Sequence, residues 1–74
     1  MSVYKFSVVT EKDIESYFAV CPELQGCYTQ VGTYEEVQEN IKDAIRLHIE
    51  DRLDNGEEIL QPESVNLTLM EVAV

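Results

Sequence analysis

Apolar and polar positions alternate from the start of the chain: Tyr4, Phe6 and Val8 fall on one side of an extended segment, Lys5 and Ser7 on the other. That period of two predicts a half-buried strand over Val3–Val9. Thr10–Glu15 is a charged break long enough for a hairpin loop. The extended pattern resumes over Ser16–Cys21, now with both alternating sets apolar, Tyr17, Ala19 and Cys21 against Phe18 and Val20. A strand without a polar side is central in its sheet or covered on its second face.

Pro22 removes a backbone donor and Gly26 can take the positive φ of a tight reversal, so the second strand must stop at Cys21 and the chain must turn back. Cys27–Val31, β-branched or aromatic in character, then reads as the third strand of an antiparallel meander. Gly32 ends it. Thr33 and Glu36 have the spacing of a capping box, and Glu35 and Glu36 sit where a helix dipole favours negative charge. At 100° per residue Val37, Ile41, Ala44, Ile45 and His48 form one stripe, with Tyr34 and Arg52 near its ends. This stripe is expected to lie on the meander. Gln38, Glu39, Lys42, Asp43, Arg46 and Glu50 take the outer face, and Asn55-Gly56 closes the helix as an αL cap does.

Glu57–Ser64 is a polar connection, and Val65–Val74 has the pattern of a last strand: Val65, Leu67 and Leu69 alternate with Asn66 and Thr68, and the end is apolar on both sides. The expected fold is therefore α+β, in the order β-β-β-α-β, with one four-stranded mixed sheet and one helix on one face. The right-handed crossover rule favours the strand order 3-2-1-4. One helix covers one face, which leaves Tyr17 or Phe18 and the chain end at Met70, Val72 and Val74 in need of cover. A second protein chain is its simplest source, so these five residues are the expected oligomer interface, in a homodimer or tetramer.

Charge narrows the partners. Five Lys and Arg stand against fifteen Asp and Glu, a formal net charge of −10 at pH 7. Binding to nucleic acid is driven by cations that displace counterions from phosphate, so direct nucleic-acid binding is not expected. Between Tyr34 and Ser64, ten acids face Lys42, Arg46 and Arg52, a local charge of −7 that would steer a basic protein toward this half of the chain. Glu35, Glu39 and Asp43 are the candidate partner-binding acids. No segment has the eighteen consecutive apolar residues of a membrane span, and the N-terminus lacks a secretory signal pattern, so a cytoplasmic location is expected. Cys21 and Cys27 are too few for a disulfide scaffold and read as two thiols in or beside strands.

The stretch Tyr17–Glu36, with its Pro22-x-Leu24-x-Gly26-Cys27 turn and Gly32-Thr33-x-Glu35-Glu36 helix start, continues through Asn40, Ala44 and His48 to Gly56 and Pro62. In this order and spacing it resembles the HicB antitoxin family over most of the chain. Pro22, Gly26, Gly32, Thr33 and Glu36 are the fold motif that carries the likeness. The family's turn usually has Pro where Gln25 stands. The resemblance implies a partial ribonuclease-H-like domain that neutralises a small, basic, mRNA-cleaving toxin, HicA, by covering its active surface. Many members add a C-terminal DNA-binding domain; residues 1–74 read as a single domain with none, so operator binding by that route is not carried over. The alternative is a solitary oligomeric structural or regulatory protein of the same fold with no toxin partner.

Catalytic chemistry finds little footing. Two-metal hydrolysis of RNA needs converging carboxylates, one of them normally in the middle of the first strand, and Val3–Val9 contains none. Metal binding would need further nitrogen or sulfur ligands beside the two cysteines, and His48 alone is on offer. His48 lies on the apolar stripe without an evident nucleophile or orienting acid, and reads as a core or partly exposed histidine. Cys27 has no evident basic neighbour to activate it. Neither a catalytic residue nor a cofactor is expected.

Overall fold

The computed structural model describes residues 3–74. Three strands, β1 (Val9–Lys12), β2 (Tyr17–Val20) and β3 (Tyr28–Val31), form an antiparallel sheet in the order β1-β2-β3, and one helix, α1 (Tyr34–Asp54), follows. The architecture is α+β.

The turn between β2 and β3 is built as its residues dictate. Leu24 N–H donates to Cys21 C=O at 3.1 Å and Cys27 N–H to Leu24 C=O at 3.1 Å, while Cys21 N–H returns to Cys27 C=O at 3.0 Å. Gly26 has φ +79°, the left-handed conformation that a side chain disfavours. The register that follows pairs Ala19 with Thr29 and Val20 with Tyr28.

Helix α1 starts at the predicted cap: the Thr33 hydroxyl oxygen accepts the Glu36 N–H at 3.2 Å, with Glu35 and Glu36 in the first turn. It ends in a Schellman arrangement in which Glu57 N–H donates to Arg52 C=O at 2.8 Å and Gly56 N–H to Leu53 C=O at 3.0 Å, with Gly56 at φ +72°. The stripe drives the packing, because Val37 and Ile41 are buried with Ala19, Cys21, Leu24 and Cys27 in one core, flanked by Phe6, Tyr17, Val31, Ala44 and Ile45. Full burial of an aliphatic side chain stabilises by about 1.5–3 kcal/mol, so two such residues dock the helix firmly on β2 and β3. β1 is reached through Gln38, whose Nε2 donates to Thr10 Oγ1 at 3.1 Å.

Two expectations about the strands are corrected. The first strand, expected over Val3–Val9, forms at Val9–Lys12 instead, inside the segment read as a charged break. The hairpin turn needs few residues: Asp13 N–H donates to Ser16 C=O at 2.8 Å and the Asp13 carboxylate accepts Ile14 N–H at 2.7 Å, so pairing extends to Lys12 opposite Tyr17. Lys12 Nζ lies 5.8 Å from the centre of the Tyr17 ring, a cross-strand contact that suits a charged edge residue. Residues 3–8 run past the end of β2 at Val20, where Cys21 and Pro22 turn the chain away, and so have no strand beside them. They are held by side chains: the Glu23 carboxylate accepts the Ser7 N–H at 2.8 Å and the Ser7 hydroxyl, and Phe6 packs against the core.

The fourth strand is likewise absent among the described residues. Residues 57–74 carry no helix or strand, and Leu69 and Met70 are 93% and 78% exposed. The radius of gyration is 14.3 Å, against about 11 Å for a compact domain of this length, because the tail extends from the body. A strand needs a partner for its backbone donors and acceptors, and among the described residues this segment pairs with none. The sheet is accordingly antiparallel throughout, without the parallel pair of the expected mixed sheet.

Candidate functional site

Apart from the thiols of Cys21 and Cys27, which lie against each other in the core, the side chains with potential for chemistry do not converge. Among the described residues no group of three His, Cys, Asp or Glu side chains is placed to hold a metal ion. Glu11, brought into the sheet by the shift of β1, faces away from the helix opposite Phe18, with no second acid in the strands. Cys21 and Cys27 are free thiols, fully buried in the core. Burial pushes both thiols up from their ordinary value, Cys21 also through the nearby Glu23 charge, which keeps them protonated and unreactive. His48 is half-buried on the helix stripe, as its position predicts.

What the fold does present is surface. Strand alternation divides the sheet. Thr10, Lys12, Tyr17, Ala19, Thr29 and Val31 face the helix, while Val9, Glu11, Phe18, Val20, Tyr28 and Gln30 face away from it. Among the expected interface residues this separates Tyr17 from Phe18. Tyr17 turns inward, its ring edge-on to Tyr34 with centroids 5.9 Å apart. Phe18 stacks with Tyr28 on the uncovered face, centroids also 5.9 Å apart, and Tyr28 is 61% exposed. Tyr17 is therefore removed from the open-face set, because the Tyr34 ring at the start of α1 reaches over it. Met70, Val72 and Val74 lie far along the exposed tail.

A second surface is the outer face of α1. Glu35, Glu39 and Asp43, one helical turn apart from each other, are all exposed. Asp43 is paired, accepting from Arg46 Nη2 at 2.8 Å; Glu35 and Glu39 have no salt bridge among the described residues. Around them the helix carries the acids that give this half of the chain its negative field.

The third surface lies where the expected fourth strand would pack. The N-terminal segment and α1 enclose an open groove of about 400 Å³, walled by the apolar side chains Tyr4, Phe6, Val8, Ile41 and Ile45, with Gln38, Glu39 and Lys42 on its rim. The edge of β1 beside it is unpaired. The alternation of Tyr4, Phe6 and Val8 was legible as a face; that these residues would wall an open groove beside α1 without belonging to a strand was not. Glu23 was also missed, since nothing in the spacing from Ser7 to Glu23 signals that a turn carboxylate will hold the N-terminal segment. Pro22, Gly26, Gly32, Thr33 and Glu36 stand at turns and at the helix cap, away from this groove, and act on the fold rather than on a ligand.

No helix among the described residues is long and apolar enough to cross a membrane. Known proteins with related sequences place the fold in a family. A UPF0150 protein of Synechocystis sp. is 45% identical over 49 residues, 65% of this chain and 62% of that protein. One of Thermoplasma acidophilum is 38% identical over 66 residues, 88% of this chain and 96% of that protein. A third, of Helicobacter pylori, is 49% identical over 45 residues, 61% of this chain and 62% of that protein. The chain thus matches less than two thirds of the Synechocystis and Helicobacter proteins and nearly all of the Thermoplasma one. No solved structure matches the chain significantly. The family model described as HicB_like antitoxin of bacterial toxin-antitoxin system matches residues 4–72, which spans the hairpin, the Pro22–Cys27 turn, the whole of α1 and most of the tail, and the chain belongs to that HicB-like antitoxin family.

Proposed function

We propose that this chain is a non-catalytic, cytoplasmic antitoxin that self-associates and silences a small, basic, mRNA-cleaving toxin of the HicA type by covering its active surface. The observation that carries the reading is the charge arrangement on a protein of this family: a net charge of −10, with Glu35 and Glu39 on the exposed face of α1 and without a salt bridge among the described residues. A ribonuclease must expose cations to grip its substrate phosphates, and an acidic surface competes for those same cations. The acids serve in this reading as contacts to protein, and the chain itself does not bind nucleic acid. The same reading takes Val65–Val74 as the strand that completes a partial ribonuclease-H-like sheet in the order 3-2-1-4, once a partner backbone is available.

Expression in a host that also produces the small basic protein encoded beside this chain tests the proposal. Growth arrest by that protein alone, relieved by this chain and relieved less by the Glu35→Lys/Glu39→Lys variant, is the expected result. If no basic neighbour is encoded, or its product is harmless, the solitary oligomeric role takes its place.

A further inference from the structure

We infer that the C-terminal segment Val65–Val74 of one copy seats in the apolar groove of a second copy, and that two chains exchange these segments reciprocally. The inference rests on the self-association proposed above and names the element that produces it.

The structure holds two unmatched surfaces that fit each other. One is the groove walled by Tyr4, Phe6, Val8, Ile41 and Ile45, which continues the N-terminal segment leading into β1, the edge strand of the sheet. The other is the tail, whose Val65, Leu67 and Leu69 are 54%, 64% and 93% exposed and alternate with Asn66 and Thr68. An edge with free N–H and C=O groups and a ten-residue segment with strand alternation complete each other's hydrogen bonding.

Charge permits this contact in a chain that otherwise repels its copies. Val65–Val74 contains a single charged side chain, Glu71, and the groove rim offers Lys42 beside Glu39. The exchange therefore brings together the least acidic parts of two acidic molecules. Within one chain, the Gln61 side-chain oxygen accepts the Lys5 N–H at 2.6 Å, tying the connection to the N-terminal segment, and residues 63–74 beyond it lie exposed and outside the chain's own groove. The area also suffices. A ten-residue strand is about 33 Å long and covers a band about 10 Å wide, so two reciprocal segments, counted on both surfaces, hide about 1,300 Å², within the range of stable protein interfaces. Exchange of an identical element is a low-cost route to a dimer of this kind.

The test uses full-length chains in native mass spectrometry, with circular dichroism to check folding. Unaltered protein is expected to be a dimer, with a melting temperature that rises with concentration. Leu67→Glu/Leu69→Glu removes the seating residues from an exposed segment outside the core, so the variant is expected to stay folded and to raise the dimer dissociation constant at least tenfold. Val8→Glu spoils the groove from a position outside the buried core and is expected to do the same. Mixed together, the two variants are expected to recover a one-to-one heterodimer, since one sound groove and one sound tail remain. A dimer unaffected by the tail variant, or folded variants that stay monomeric when mixed, would overturn the exchange while leaving self-association intact. Should Val8→Glu fail to fold, the tail variant mixed with unaltered protein decides instead: exchange predicts a heterodimer weakened relative to the unaltered dimer, and equal affinity refutes it. Unaltered protein that remains monomeric at every concentration would remove both the exchange and the self-association it rests on.

Discussion

Replacing Gly26 with alanine tests how the central turn is held, and the cost can be worked from its surroundings. A Cβ built at Gly26 meets no atom within 4 Å, so sterics between residues contribute nothing; what remains is the backbone conformation, at φ +79°. Holding an L-residue in the left-handed region costs roughly 1–2 kcal/mol, offset by about 0.4–1 kcal/mol because alanine has less freedom than glycine in the unfolded chain. The net loss is about 1 kcal/mol, which for a domain of this size lowers the melting temperature by roughly 4–8 °C. Gly32 supplies the control. Its Cβ would also meet open space, and its φ is not positive, so Gly32→Ala is expected to leave the melting temperature unchanged or slightly raised. Thermal unfolding followed by circular dichroism reads both variants. Equal effects of the two substitutions would refute the claim that positive φ, rather than space, selects glycine at Gly26.

Two further outcomes follow from the core and from the Glu23 clamp. Ile41→Ala removes the largest fully enclosed side chain and is expected to cost about 2–5 kcal/mol, a large share of the roughly 4–11 kcal/mol total for a chain of this length, read by urea unfolding. For Glu23, burial alone would raise the carboxyl pKa, but the Ser7 hydroxyl and N–H outweigh it and hold the folded value below the ordinary 4.5. A carboxylate lowered by folding contributes stability above its unfolded pKa and loses it as pH falls through the folded value. Glu23→Gln should therefore flatten the fall in melting temperature below pH 4.5; an acid limb as steep as that of the unaltered chain would refute the clamp.

Legibility in the sequence followed the range over which each feature is decided. The Cys21–Cys27 reversal and both ends of α1 depend on residues within one turn of each other, and Pro22, Gly26, Thr33 and Gly56 announce them. The helix stripe was legible for the same reason, since Val37 and Ile41 recur at helical spacing. Elements whose form depends on a distant partner were not. Alternation showed that Val3–Val9 and Val65–Val74 suit a strand but could not say where pairing would begin, and the hairpin's short turn moved the first strand onto Glu11 and Lys12. Nor could alternation orient β2. With Tyr17 and Phe18 both aromatic, the face turned to the helix was settled by the small Ala19 and the buried Cys21, which let α1 approach closely. The family resemblance was carried by the local motifs, and the acidic surface by composition; the groove and the Glu23–Ser7 tie exist only once the chain is folded.

Inhibition of RNA cleavage by a basic partner is the direct measure of the proposed antitoxin role. With the small basic protein encoded beside this chain purified and held constant, the proposal predicts that adding this chain abolishes its RNA cleavage at near-stoichiometric amounts, with an association rate that falls steeply as salt is raised. Cleavage that continues undiminished in an excess of folded chain at low salt would contradict the account.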